Sequence, residues 1–273
     1  MTANEIFKQI LQKRSFLCVG LDTDINKLPE CLRTDADPVF AFNKAIIDAT
    51  AAFAVAFKPN LAFYEANGEA GWLSLAKTVE YLRKNFPEIF LIADAKRGDI
   101  GNTSEKYAET FFKTMDFDAI TLSPYMGRDT VAPFLTYRDK WCILLALTSN
   151  PSAADFQYIE DQNGVCLYQK VLSISQNWGE NIMYVAGATK AEQLEKVRAA
   201  APNHFLLVPG IGAQGGSLQD VARYGMNSRC GLLVSASRSI LYADSSKNFA
   251  QTASQEAKKL QNEMDELLKT CLR

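Results

Sequence analysis

Apolar residues in this chain come in short unbroken runs, separated by longer amphipathic stretches. The runs occupy positions 16–21, 54–57, 89–93, 119–122, 142–147, 182–185, 205–208 and 231–234. Continuous apolar runs of this length predict strands of a parallel sheet, covered on both faces. The stretches 39–53, 71–86, 103–115, 165–176 and 190–200 predict helices, and 245–268 predicts a long terminal one. Segment 148–164 is the longest without an assignment. It carries Asp155 and Asp161 and is expected to cover a neighbouring site.

Eight such units in 273 residues predict an α/β protein, a (β/α)8 barrel forming one domain over residues 1–273. An open doubly wound sheet is the alternative. No G-x-G-x-x-G follows the first run, which weakens a dinucleotide-binding version of it. Polar residues gather after the runs rather than before them. Asp22 follows the first, Lys58 the second, Asp94 and Lys96 the third, Ser123 the fourth and Thr148-Ser149-Asn150 the fifth. A glycine-rich turn at 209–216 follows the seventh, and Ser235 to Arg238 follow the eighth. In a closed barrel all these ends meet on one face, where the βα loops build the active site.

Composition removes several function classes. Hydrophobic residues make up 48% of the chain, enough for a sizeable core. The net charge of −2, with both signs mixed along the chain, gives no reason to expect a nucleic-acid or membrane partner. The start, Met1-Thr2-Ala3-Asn4-Glu5, lacks a basic region followed by an apolar core, and no apolar run is long enough for a bilayer. A cytoplasmic location is therefore expected. The six cysteines are scattered without a C-x-x-C pair, which argues against a disulfide framework or a zinc site. Cys18 and Cys142 lie inside apolar runs and read as small core residues. The single histidine, His204, precedes its run and so stands at the wrong end for barrel chemistry. No metal site is expected, and no residue pattern suggests a cofactor.

The stretch Asp94-Ala95-Lys96-Arg97-Gly98-Asp99 concentrates the candidate chemistry. Charges at this density are costly to bury unless they are paired or used. Asp94 and Lys96, two apart, point to the same side of a strand, and Asp99 lies in the turn beyond. A lysine held between carboxylates stays protonated and can hand a proton to a developing carbanion. Taken alone, D-x-K-x-x-D is also compatible with a solvated turn and an incidental ion pair. Lys58, fixed by Pro59 as it leaves its strand, is placed to pair with Asp94 across the barrel mouth, giving an alternating Lys–Asp–Lys–Asp array. Asp22 either accepts hydrogen bonds from sugar hydroxyls or starts a turn. The turn at 209–216 contains Pro209, Gln214 and four glycines, which let backbone N–H groups approach an anion closely. Arg238, one unit later, adds a bidentate donor. Loops after the last two strands of such barrels frequently hold phosphate, so a phosphate gripper is expected there. Phe53, Phe57, Phe63 and Tyr64 read as core.

The ten residues from Asp94 to Thr103, D-A-K-R-G-D-I-G-N-T, match without departure the signature of a subgroup of the orotidine 5′-phosphate decarboxylase family. The resemblance extends over the chain: Gly20-Leu21-Asp22, Phe57-Lys58-Pro59, Thr148-Ser149-Asn150-Pro151, the turn at 209–216 and Ser237-Arg238. It implies a (β/α)8 barrel, a homodimer with shared active sites and cofactor-free conversion of orotidine 5′-phosphate to uridine 5′-phosphate. It also implies roles. Lys58, Asp94, Lys96 and Asp99 form the charged array. Asp99, Ile100 and Thr103 reach into the partner's site. Asp22 binds ribose and Ser149 the pyrimidine, while Pro209, Gln214 and Arg238 belong to the phosphate end.

A sugar-phosphate lyase of the same barrel superfamily, such as a 3-keto-gulonate-6-phosphate decarboxylase, resembles the chain in D-x-K-x-x-D but uses Mg2+. The tail Ile100-Gly101-Asn102-Thr103 favours the nucleotide enzyme. A non-catalytic phosphate-binding barrel is disfavoured, because holding a dianion needs no carboxylates nearby.

Overall fold

The computed structural model describes residues 1–187, 191–210 and 217–272. Its strands are β1 (Leu17–Leu21), β2 (Ala54–Pro59), β3 (Phe90–Arg97), β4 (Ala119–Leu122), β5 (Trp141–Leu147), β6 (Ile182–Ala186), β7 (Leu206–Pro209) and β8 (Leu232–Ala236). They pair in chain order, all parallel, and β1 closes on β8 to complete a barrel. Every residue of β1, β2, β4, β6 and β8 is buried. Helices cover the outside and the side chains of facing strands fill the inside, so an unbroken apolar run is the sequence such a strand needs.

The helices are α1 (Ala3–Lys13), α2 (Pro38–Thr50), α3 (Leu61–Glu65), α4 (Gly68–Asn85), α5 (Gly101–Ala108), α6 (Ala132–Leu135), α7 (Leu167–Ser175), α8 (Ala191–Ala200), α9 (Leu218–Gly225), α10 (Arg238–Leu241) and α11 (Phe249–Cys271). Among the described residues, no helix is long and apolar enough to cross a membrane. The stretch expected as one helix over 103–115 is α5 followed by a π-helical segment, Glu109–Thr114, which buries Phe111 and Phe112.

The pattern of strands did not announce α1. Its start is a capping box, Thr2 and Glu5 satisfying each other's backbone N–H groups, and its core face is only Ile6 and Ile10. It closes the floor of the barrel. Lys13 Nζ donates to the Ala51 and Ala54 carbonyls, each at 2.8 Å, beside the start of β2. On the same floor α11 places Gln261 Nε2 3.0 Å from the Lys13 carbonyl and Met264 Sδ 3.4 Å from the Phe16 amide.

The third strand differs most from the apolar pattern. Its run ends at Ala93, yet β3 continues to Arg97. The charged signature thus begins inside the sheet, where pairing to β4 positions it.

Candidate active site

The C-terminal ends of β1, β2, β3, β7 and β8 surround a cavity of about 270 Å3. Asp22, Lys58, Asp94, Lys96, Pro209 and Arg238 reach its wall, as do Asn60 and Ser235.

Asp94 is the centre of the site. Its Oδ2 accepts from Lys58 Nζ at 2.7 Å and its Oδ1 from Lys96 Nζ at 2.6 Å. A backbone bridge between Asn60 and Asp94 continues the β2–β3 pairing past the end of β2 and keeps the pair in register. Lys58 is almost fully enclosed, whereas the Lys96 side chain is 51% exposed. Burial alone draws a lysine ammonium down, but the Asp94 and Asp22 carboxylates outweigh it and hold Lys58 above its ordinary value. Burial likewise pushes the Asp94 carboxyl up, and Lys58 and Lys96 together overcome it and hold Asp94 well below the carboxylate range. The centre therefore consists of a fixed anion between two ammonium groups, the inner one locked and the outer one facing the cavity.

Lys96 reaches Asp94 by a route the simple alternation of a strand does not provide. Its φ is +47°, in the left-handed region. The β3–β4 register jumps here from Ala93↔Ile120 to Arg97↔Leu122. A buried residue that sequence reasoning missed fills the gap: Thr121 Oγ1 accepts the Lys96 backbone N–H at 2.9 Å and donates to Asp94 Oδ1 at 3.0 Å. The only trace of it in the sequence is one hydroxyl within the apolar run of β4.

Asp22 follows β1, with its Oδ1 buried and without a hydrogen-bond partner among the described residues. An unpaired buried carboxylate oxygen costs free energy, so its place on the cavity wall marks it for a donor from a bound molecule. Its backbone is held by Tyr242, whose hydroxyl donates to the Asp22 carbonyl at 2.8 Å and accepts the Asp24 N–H at 2.7 Å. Gly20 is a glycine for a packing reason. A Cβ there would lie 1.9 Å from Ser237 Oγ, so β8 and the residue before Arg238 approach β1 only over a bare backbone. Pro209 and Gly210, at the end of β7, line the same cavity. Gln214 lies outside the described residues.

Ser149 lines a second cavity, of about 580 Å3, with Thr148, Asn150, Tyr158 and Gln193; it is not on the wall of the first. The segment expected to cover the site is braced internally. Gln157 bonds the Thr148 backbone N–H and hydroxyl, each at 2.8 Å. Asp161 pairs with Lys170 at 2.8 Å and accepts the Asn163 and Val165 amides, which with Lys170 hold its carboxyl at about 2. Asp161 thus shapes the loop.

Asp99, Ile100 and Thr103 take no part in lining the 270 Å3 cavity. Gly98 lets the chain leave β3 hard against β4: a Cβ there would lie 2.9 Å from the Ser123 carbonyl. Asp99 Oδ1 then accepts the Ile100 amide at 2.8 Å, and Ile100 is 57% exposed. α5 packs on the segment after β4 through Ser104 Oγ, which donates to the Thr130 carbonyl at 2.7 Å. That segment carries Tyr125 and Met126, 83% and 50% exposed. His204 stays at the opposite end, against the ring of Tyr184.

Comparison with known proteins adds the following. A family model, orotidine 5′-phosphate decarboxylase / HUMPS family, matches residues 15–253. The orotidine 5′-phosphate decarboxylase of Phocaeicola vulgatus is 59% identical over 270 residues, covering 98% of this chain and 99% of that protein. The enzyme of the same name from Bacteroides fragilis is 58% identical over 274 residues, covering both chains fully. Among solved structures, the OMP decarboxylase of Leishmania donovani superposes with a TM-score of 0.80 at 34% identity, over 96% of this chain and 100% of that one.

Proposed function

Since the chain belongs to the orotidine 5′-phosphate decarboxylase / HUMPS family, we propose how its barrel mouth performs the family's reaction. The protein is a carboxy-lyase that converts orotidine 5′-phosphate to uridine 5′-phosphate and CO2 in pyrimidine biosynthesis. Within the family we place it in the subgroup with the D-A-K-R-G-D-I-G-N-T signature, on the match from Asp94 to Thr103.

The observation that carries the mechanism is the Lys58–Asp94–Lys96 array at 2.7 and 2.6 Å on the cavity wall. Breaking the C6–CO2 bond leaves an electron pair in the plane of the pyrimidine, where the ring π system cannot delocalise it. A preorganised positive charge is then the available stabilisation. The outer ammonium, Lys96, lies beside C6 and gives its proton to the carbanion as CO2 departs; solvent reprotonates the amine. Asp94, locked by Lys58, keeps Lys96 aimed. Asp22 accepts from the ribose hydroxyls, which satisfies its buried oxygen. Pro209, Gln214 and Arg238 hold the phosphate, and Ser149 meets the pyrimidine. Binding energy from the phosphate end is thereby available to the reacting centre.

The working unit of this proposal is a cytoplasmic, cofactor-free homodimer. Asp99, Ile100 and Thr103 stay off the wall of their own cavity and Ile100 is 57% exposed, on a turn suited to the neighbouring subunit's site. The test of the reaction is direct: purified protein mixed with orotidine 5′-phosphate should change its ultraviolet spectrum to that of uridine 5′-phosphate, and EDTA should leave the rate unchanged. Absence of turnover would refute the activity, and full loss with EDTA would point to a metal-dependent lyase.

A further inference from the structure

We propose that Thr121 is a positioning residue for Lys96, holding the proton donor in place through both its backbone and its counter-ion. The proposal rests on the decarboxylase reading above and adds to it a residue that touches neither substrate nor reacting atoms.

The argument begins with the backbone. Between Ala93 and Arg97 β3 advances four residues, while its partner β4 advances only two, from Ile120 to Leu122. The surplus is a bulge, and bulges re-aim side chains at active sites. Its last residue, Lys96, has φ +47°, a conformation that an L-residue with a long side chain rarely adopts unless its surroundings impose it. Inside the bulge the regular ladder has no carbonyl for the Lys96 N–H. The Thr121 hydroxyl stands in for it at 2.9 Å.

The same oxygen spends its one proton on Asp94 Oδ1, at 3.0 Å. Asp94 Oδ1 in turn accepts Lys96 Nζ at 2.6 Å. A closed ring results: backbone of Lys96, hydroxyl of Thr121, carboxylate of Asp94, ammonium of Lys96. Thr121 is 1% exposed, so neither bond competes with bulk water. Lys58 fixes the other carboxylate oxygen from β2, at 2.7 Å. Asp94 is thereby held from two strands, and a half-exposed ammonium acquires one orientation. Residues locked by such supporting bonds give the small positional tolerance that proton transfer requires. A hydroxyl is the group this position needs. Valine has threonine's shape but can neither accept the amide nor donate to the carboxylate.

The test compares Thr121→Val with Thr121→Ser in the orotidine 5′-phosphate assay, alongside the unaltered protein. Loss of a hydrogen bond to a charged group predicts a fall of about ten- to hundred-fold in kcat for Thr121→Val. KM and the dissociation constant for uridine 5′-phosphate should stay within about two-fold, because the interaction is made in positioning rather than in ground-state binding. Thr121→Ser should recover most of kcat. If Thr121→Val fails to fold, Thr121→Ala is compared with Thr121→Ser on the same readouts. Unchanged kcat in a folded variant without the hydroxyl overturns the proposal. So do equal losses in the Val and Ser variants, which would mark a packing role. Either result leaves the decarboxylase reading intact while the unaltered protein turns over; no turnover by that protein overturns both.

Discussion

Lys96 places its ammonium 2.6 Å from Asp94 while the Lys58 ammonium occupies the opposite oxygen of the same carboxylate. Removing one member of such a trio changes charge as well as contact. Lys96→Ala is expected to abolish decarboxylation nearly completely and to leave part of the binding of uridine 5′-phosphate intact. General acid catalysis alone accounts for about 10²–10⁴-fold, and lost stabilisation of the carbanion adds to it. Single-turnover rates on a well-folded variant check this; near-native turnover would remove Lys96 from its role. In the proposed mechanism Arg238, exposed at the start of α10, acts at the other end of the substrate. Arg238→Ala should lower kcat/KM far more for orotidine 5′-phosphate than for the bare nucleoside, by about 1.5–3 kcal/mol for a lost charged hydrogen bond. Guanidinium in solution should restore some activity. Equal losses on both substrates would take Arg238 out of the phosphate site. Both residues are legible in the sequence because charge is conspicuous after an apolar run. Thr121 is not, since a threonine in a strand is ordinary until its partners are known.

Among the elements, β1 and β8 meet so closely that Gly20 leaves no room for a side chain under Ser237. Gly20→Ala should displace Ser237 and the start of α10, and with it Arg238. Overpacking of this kind costs about 1–3 kcal/mol. The expected signature is a lower melting temperature with a KM raised more than kcat is reduced; native stability and KM would contradict the contact. The α8–β7 connection sets a pH dependence. Burial, with a contribution from the Arg198 guanidinium, holds His204 below its ordinary imidazole value of 6.5. The unfolded chain therefore binds a proton near pH 6.5 that the folded protein does not. Stability should rise with pH up to that value and fall as the solution is acidified below it. Denaturant midpoints at pH 7 and pH 5.5 should differ less in His204→Phe than in the native chain. An unchanged difference would show that other groups set the dependence. Neither feature follows from the runs themselves, because each depends on what a neighbouring element brings within a few ångströms.

At the scale of the whole molecule, the charged signature divides between two directions. Lys96 serves the cavity of its own barrel, while Asp99, past the turn at Gly98, lies outside that cavity. If Asp99 completes the neighbouring subunit's site, Lys96→Ala and Asp99→Ala chains, each nearly inactive alone, should complement when mixed. One site of the mixed dimer receives both defects and the other neither. Random assortment puts about half of the dimers in that form, so activity should approach roughly a quarter of native sites. Mixing after verified subunit exchange, with ultracentrifugation to confirm the dimer, decides the matter; no recovery, or a fully active monomer, would falsify the shared site.

The sequence by itself determined the barrel and the end of it where polar residues gather around a cavity. A parallel strand buried on both faces must be apolar throughout, so eight runs are readable one at a time, and polar residues cluster where the strands end. Helix α1 had its own start signal in Thr2 and Glu5, but its two core residues are too few to stand out as a pattern. What only the tertiary structure decided is which groups meet across strands. It extends β3 through Asp94 and Lys96, turns Lys96 into the left-handed region, and supplies the Thr121 hydroxyl from β4 to hold it there. It also sets Ser149 on the wall of a separate cavity and uses Asp161 to brace a loop. The physical reason is common to all of these. Periodicity reports the face a residue shows to its own element, whereas a site is made by lateral register between elements, which no single stretch of chain encodes.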